Sequence, residues 1–297
     1  MATLPTEITT LSAPDGTALP VRIFHARTGR RRRTPAIMIW PGIGLAARYF
    51  DRLADELAAR GYHATISDLR GQGDSVPKPD GRSRYGMHAL VAEDYSAVDE
   101  LVAQAFPDSP RILLGHSLGG QLGSLYAARP ETDLAGLILV ASGTPFSDTP
   151  APDLTVLRES WAVMLDRSER EGFLADNSVV GAQSLTMVRD IVELLGSGRY
   201  DPSRADLNYE YAMARTTTPV LAVEIPGDAR VPPCQTELLL SKFRTASITR
   251  TVLDTPLGHN SWAKAPTSVV DRIDEWLHSS EIVERPGMEP SARQPIP

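Results

Sequence analysis

Residues 112–120 read Ile112-Leu113-Leu114-Gly115-His116-Ser117-Leu118-Gly119-Gly120, and a helical pattern continues from Leu118 to Ala128. An apolar run followed by Gly-x-Ser-x-Gly and a helix describes a serine on a tight strand-to-helix turn. Such a turn drives the serine into strained dihedrals, and glycines two residues away on either side relieve the crowding. It also lifts the hydroxyl above the carboxyl edge of the sheet, where ligands bind in open α/β folds. At the start of a helix, free N–H groups favour a developing oxyanion. Ser117 is therefore the candidate nucleophile, and Arg111 to Leu114 the candidate strand that carries it.

The flanking sequence repeats the same rhythm. Leu11 to Phe24 reads as a hairpin around Asp15-Gly16, a strong turn dipeptide. Ala36-Ile37-Met38-Ile39-Trp40 is an unbroken apolar run ending at Pro41-Gly42, the pattern of a strand buried on both faces. Next comes a helix with Tyr49, Phe50, Leu53, Leu57 and Ala58 on one face and Gly61 past its end. Tyr62 to Ser67 (strand), His88 to Phe106 (helix) and Gly136 to Ala141 (strand) continue the alternation. Strands alternating with helices predict a mostly parallel sheet covered on both faces.

From Gly143 to about Thr218 the strand signal stops, and three helical patterns follow, carrying Val156 to Leu165, Leu185 to Leu195 and Leu207 to Met213. The rhythm resumes with strands at Val220 to Ile225 and Ser247 to Leu253 and helices at Gln235 to Lys242 and Thr267 to His278. The last helix carries Ser268 and Asp271 as a pair resembling a capping box. The expected organisation is a core of residues 1–142 and 219–278, an all-helical insertion at 143–218, and a mobile proline-rich tail at 279–297.

Composition narrows the function. With 37 acidic against 30 basic residues, a formal net charge of −7, there is no surplus to neutralise phosphates, so nucleic acid is not an expected partner. The four arginines Arg30 to Arg33 read as a solvated loop. No apolar stretch reaches the ~20 residues of a membrane helix, and the N-terminal residues lack the pattern of a signal peptide. A lone cysteine, Cys234, fits a reducing compartment, and the expectation is a cytoplasmic protein. No ligand spacing suggests a metal, and no cofactor is expected.

A serine hydroxyl needs a base within reach and a group to orient that base. His259, in Leu257-Gly258-His259-Asn260, follows the last strand and reaches the same sheet edge. His116 adjoins the serine but should point away from it, as filler; structural or surface roles suffice for the other four histidines. For the acid, Asp228 lies three residues past its strand in a short loop stiffened by Pro232-Pro233. Asp148, after the preceding strand, and Asp254, five residues before His259, are the alternatives.

In these residues, together with Gly42-Ile43-Gly44 and Asp68-Leu69-Arg70-Gly71-Gln72-Gly73-Asp74-Ser75, the sequence resembles the α/β-hydrolase superfamily over nearly its whole length. More narrowly it resembles the capped branch of monoacylglycerol lipases, lysophospholipases and serine aminopeptidase-like hydrolases. The order Ser117, Asp228, His259 is the order of that fold. The resemblance implies an oxyanion hole formed by the backbone N–H groups of Ile43 and Leu118, although Pro41 stands where the family often has histidine. It also implies a structural role for Asp68 to Ser75 and a cap over the site. Trp161, Met164, Leu165, Met187, Val188 and Tyr211 are the candidate pocket residues. The expected reaction is hydrolysis of an apolar carboxylic ester, thioester or lactone. Acyl transfer and carbon–carbon cleavage use the same triad, and a non-catalytic ligand-binding member is the reading from another class. Dehalogenases and epoxide hydrolases are disfavoured because their elbow residue is aspartate.

Overall fold

The computed structural model describes residues 5–27, 34–146, 148, 154–176, 179–280 and 282. The Arg30 to Arg33 loop, the first four residues and nearly all of the expected tail lie outside them. Eight strands form one sheet: β1 (Glu7–Ser12), β2 (Ala18–Phe24), β3 (Ala36–Trp40), β4 (His63–Ser67), β5 (Arg111–His116), β6 (Gly136–Val140), β9 (Val220–Glu224) and β10 (Ile248–Val252). Their spatial order is β1-β2-β4-β3-β5-β6-β9-β10. β1 and β2 pair antiparallel, β2 pairs antiparallel with β4, and every other pairing is parallel. This is the mostly parallel sheet, covered on both faces, that the alternation of strands and helices predicts.

Side-chain alternation explains why the central strands read as continuous apolar runs. Met38, Trp40, Leu113, Leu137 and Leu139 face one way, onto α3 (Ser96–Ala105) and α4 (Leu118–Ala127). Ile37, Ile39, Ile112, Leu114, Ile138 and Val140 face the other way, onto α1 (Asp51–Ala59) and α9 (Thr267–Ser279). Each side chain so buried contributes about 1.5–3 kcal/mol. The helix expected from His88 runs as α2 (Met87–Ala89), a wider π turn over Leu90–Tyr95, and then α3.

Register aligns the strand ends. Trp40 sits opposite Gly115, His116 opposite Val140, and Val140 opposite Val223. The turns after β3, β5 and β9 therefore emerge side by side at one edge.

Between β6 and β9 lie α5 (Leu154–Glu171), β7 (Phe173–Leu174), β8 (Gln183–Ser184), α6 (Leu185–Ser197) and α7 (Tyr209–Met213). The all-helical expectation for this insertion needs correction. β7 and β8 pair antiparallel through two residues each, too short for any alternation to show in sequence. Ser184 caps α6 by accepting the N–H of Met187 at 3.1 Å, and Gly198 ends it at φ 65. The capping box expected on α9 does not form: no side chain caps its N-terminus, and Asp271 instead accepts from Arg60 at 2.6 Å.

Candidate active site

Ser117 occupies the turn between β5 and α4 at φ 52 and ψ −119, a conformation costing about 1–3 kcal/mol for a residue with a side chain. The surrounding backbone holds it there. Its N–H donates to the Val140 carbonyl at 3.2 Å, and its own carbonyl accepts from Gly120 and Gln121 at 3.0 and 3.1 Å. The glycines are required by space. A Cβ on Gly115 would lie 2.3 Å from the Gly120 Cα, and one on Gly119 2.4 Å from the Trp40 carbonyl oxygen. Tyr95, stacked on Trp40 at 3.7 Å between ring centres, donates its hydroxyl to the Gly119 carbonyl at 3.0 Å and braces the turn from behind.

His259 brings Nε2 to 3.1 Å from Ser117 Oγ and Nδ1 to 2.7 Å from Asp228 Oδ2. The remaining carboxylate oxygen, Oδ1, accepts the N–H groups of Arg230 and Val231 at 2.9 and 3.3 Å, so the short loop after β9 fixes the acid from its own backbone. Both side chains are largely out of solvent, at 11% exposure for His259 and 2% for Asp228. Of the alternative acids, Asp254 is 90% exposed and pairs with Arg272 at 3.4 Å. Asp148 is exposed in the segment leading to α5.

His116 is turned away from the serine, but it does more than fill space. Fully buried, it donates Nε2–H to the His259 carbonyl at 2.9 Å and so anchors the backbone of that loop. Burial pushes its pKa down to about 3, with smaller contributions from His259 and Arg230 in the same direction, against the raising effect of the hydrogen bond. It stays neutral. Nothing in the sequence marks this contact, because it joins residues 143 positions apart.

Gly42 lets the turn after β3 approach the elbow; a Cβ there would lie 3.1 Å from that of Ser117. Ile43 follows it and, like Leu118, lines the cavity above Ser117. Leu118 opens α4, where first-turn N–H groups have no acceptor within the helix. The Asp68 to Ser75 stretch is structural, as the resemblance implied. Asp68 accepts the Ala47 and Asp74 N–H groups at 2.6 and 2.9 Å, and Gln72 accepts that of Gly44 beside the site.

The cavity measures about 460 Å³, the size of a small-molecule site. Trp161 and Met164 line it, whereas Leu165, Met187, Val188 and Tyr211 do not. Met187 and Val188 are fully buried in the packing of the insertion, Leu165 packs against the same cluster, and Tyr211 is 63% exposed under Arg215. An apolar helical stripe has to divide between docking and lining, and its spacing alone does not say where. The lining that was missed comes from Ile191, Leu194 and Leu195 of α6, Leu154 and Leu157 of α5, and the 229–231 loop.

Comparison with known proteins agrees with this architecture. The chain is 25% identical over 218 residues to a monoacylglycerol lipase of Mycolicibacterium smegmatis, covering 68% of this chain and 73% of that one. It is 27% identical over 251 residues to a pimeloyl-[acyl-carrier protein] methyl ester esterase of Chromobacterium violaceum, covering 82% and 87%. In fold it is similar to a soluble variant of monoglyceride lipase from Saccharomyces cerevisiae, with a TM-score of 0.71 at 16% identity over 95% and 97% of the two chains. The model of the serine aminopeptidase S33 family matches residues 32–185, a span that includes the turn after β3, the serine elbow and the start of the insertion. The chain thus belongs to the serine aminopeptidase S33 family, within the capped serine-hydrolase branch of the α/β-hydrolases, and is a hydrolase of the esterase or lipase type.

Proposed function

We propose that this protein cleaves a carboxylic ester of an apolar substrate through Ser117, His259 and Asp228 by way of an acyl-enzyme. The observation that carries this reading is the unbroken hydrogen-bonded line from Ser117 Oγ through both nitrogens of His259 to Asp228, opening onto a mainly apolar cavity. An ester is favoured over the other bonds this triad cleaves because both curated relatives described above are named for ester cleavage.

The proton bookkeeping follows from the tautomer. Nδ1–H donates to Asp228, which leaves Nε2 to accept the Ser117 proton as Oγ attacks the carbonyl. The N–H groups of Ile43 and Leu118 receive the oxyanion, and removing one such donor typically costs about 2.7–4 kcal/mol. The imidazolium then protonates the leaving alcohol. Water gives a proton to the regenerated Nε2 and attacks the acyl carbon, and Nε2 then passes that proton to Ser117 Oγ as the acid leaves. In this reading residues 143–218 form a cap whose α5 and α6 wall the apolar side of the site.

A fluorophosphonate tests the nucleophile: mass spectrometry should find one adduct on Ser117 and none in Ser117→Ala. A chain that only binds ligands would label no faster than that variant. Hydrolysis of matched esters, thioesters and lactones across acyl lengths then tests the bond. Turnover confined to thioesters or lactones would overturn the ester assignment while leaving the triad.

A further inference from the structure

Among the described residues lining the cavity, Arg230 is the one ionic side chain, and no aspartate, glutamate or lysine joins it. Elsewhere arginines such as Arg22, Arg60, Arg111 and Arg129 have a carboxylate within 4.0 Å. Arg230 has none among the described residues. The nearest acid in sequence, Asp228, is not available to it. One carboxylate oxygen is bonded to His259, and the other is occupied by the backbone N–H groups of Arg230 itself and of Val231. Those backbone bonds hold the Arg230 main chain two residues from the acid, while its side chain remains exposed at the cavity. The arrangement is a cation with no direct ion pair among the described residues, anchored at its base, on the cavity that Ser117 also lines.

Electrostatics of the whole chain sharpen the point. A protein of formal charge −7 repels anions at long range, so an anionic substrate needs a local positive group to be held at the site. Guanidinium suits carboxylate and phosphate equally, through paired N–H donors. We propose that Arg230 is a specificity-determining residue, and that the preferred substrate is an acyl ester that also carries a carboxylate or phosphate. This rests on the ester reading given above. The apolar wall from α5 and α6 takes the chain, and Arg230 takes the anion.

Three chromogenic esters separate the two ends of the substrate that could carry the anion. 4-Nitro-3-octanoyloxybenzoate carries its carboxylate on the leaving group, the mono-2-nitrophenyl ester of octanedioic acid carries it on the acyl end, and 2-nitrophenyl octanoate carries none. With at least one anionic ester, the wild type should show a kcat/KM ratio to the neutral ester of about two- to fivefold, as expected for a partly exposed charge pair. That ratio should collapse towards one in Arg230→Gln, be kept only in part in Arg230→Lys, which retains the charge but not the paired donors, and shrink as salt rises from 50 to 500 mM. Arg244→Gln removes the same charge from an exposed position outside the cavity lining and should leave the ratio as in wild type. Binding to Ser117→Ala, read by nitrophenyl quenching of tryptophan fluorescence (Trp161 lines the cavity), gives the same comparison without turnover. Failure to hydrolyse any of the three esters would count against the ester reading alone, since the binding ratio still decides the role of Arg230. Equal binding of anionic and neutral esters, or an unchanged ratio in Arg230→Gln, would overturn the proposal.

Discussion

The elbow at Gly115–Gly120 and the inserted segment from Leu154 to Met213 meet across one cavity but are held by different means. The elbow is positioned by backbone. Adjacent strand ends are locked in register, carbonyls and N–H groups bond Ser117 on both sides, and a Cβ at Gly115 or Gly119 would strike main chain. The insertion is positioned by side chains, with Met187, Val188 and Met213 fully buried while Val156, Val163 and Tyr211 stand in solvent. Backbone contacts fix a reacting atom to within a few tenths of an ångström. Side-chain packing tolerates substitution, so a wall built that way can change shape without disturbing the chemistry.

The sharpest test of this division is at the elbow. Ser117→Ala should lower ester hydrolysis on the order of 10⁵–10⁶-fold, because members of such a triad act as a unit. Circular dichroism and thermal melting should remain near wild type, since the alanine inherits the same backbone bonds. Activity retained above a few per cent would remove Ser117 as nucleophile.

Asp228→Asn, one step further from the reacting atoms, should cost on the order of 10³–10⁴ in kcat by favouring the wrong tautomer of His259. Asp148→Asn and Asp254→Asn should each cost less than about tenfold by the same reasoning. Near-full activity of Asp228→Asn beside a dead Asp148→Asn would place the acid on the insertion side. The comparison would then have to be redrawn.

The pH profile probes the same group from another direction. A histidine base must be neutral to accept the serine proton, so kcat/KM should fall on acidification. His116 does not contribute in that window, because burial holds it neutral down to about pH 3. A rate constant that stays flat from pH 8 to 5 would contradict a histidine base.

Two methionines test the insertion itself. Met187→Ala, at a fully buried docking position, should lower stability by about 2–5 kcal/mol in denaturant titrations. Met164→Ala, on the cavity, should move the preferred acyl length with a smaller stability cost. Equal destabilisation by the two would mean that docking and lining are not separate tasks. The smallest effect is expected at Gly196, exposed near the end of α6 with open space where a Cβ would go. Alanine there should raise stability by up to about 1 kcal/mol, as helix propensity predicts, without altering kinetics.

What could be read directly from the sequence was whatever local chemistry dictates. Buried parallel strands need unbroken apolar runs such as Ala36 to Trp40, and a strained serine turn needs glycines on both sides, so both leave marks within ten residues. The placement of Asp228 and His259 just past strand ends follows from the same logic, since the parallel strands of an α/β sheet end at one edge. The tertiary structure alone decided the rest. It gave β7 and β8, whose two-residue pairing leaves no periodicity. It gave the bond from His116 to the His259 carbonyl, and it divided the helical stripes of α5 and α6 between docking and lining. It also left Arg230 as the one ionic side chain on the cavity among the described residues. Each of these depends on which distant surface arrives opposite a residue, and an amphipathic spacing records that a face is buried without recording against what.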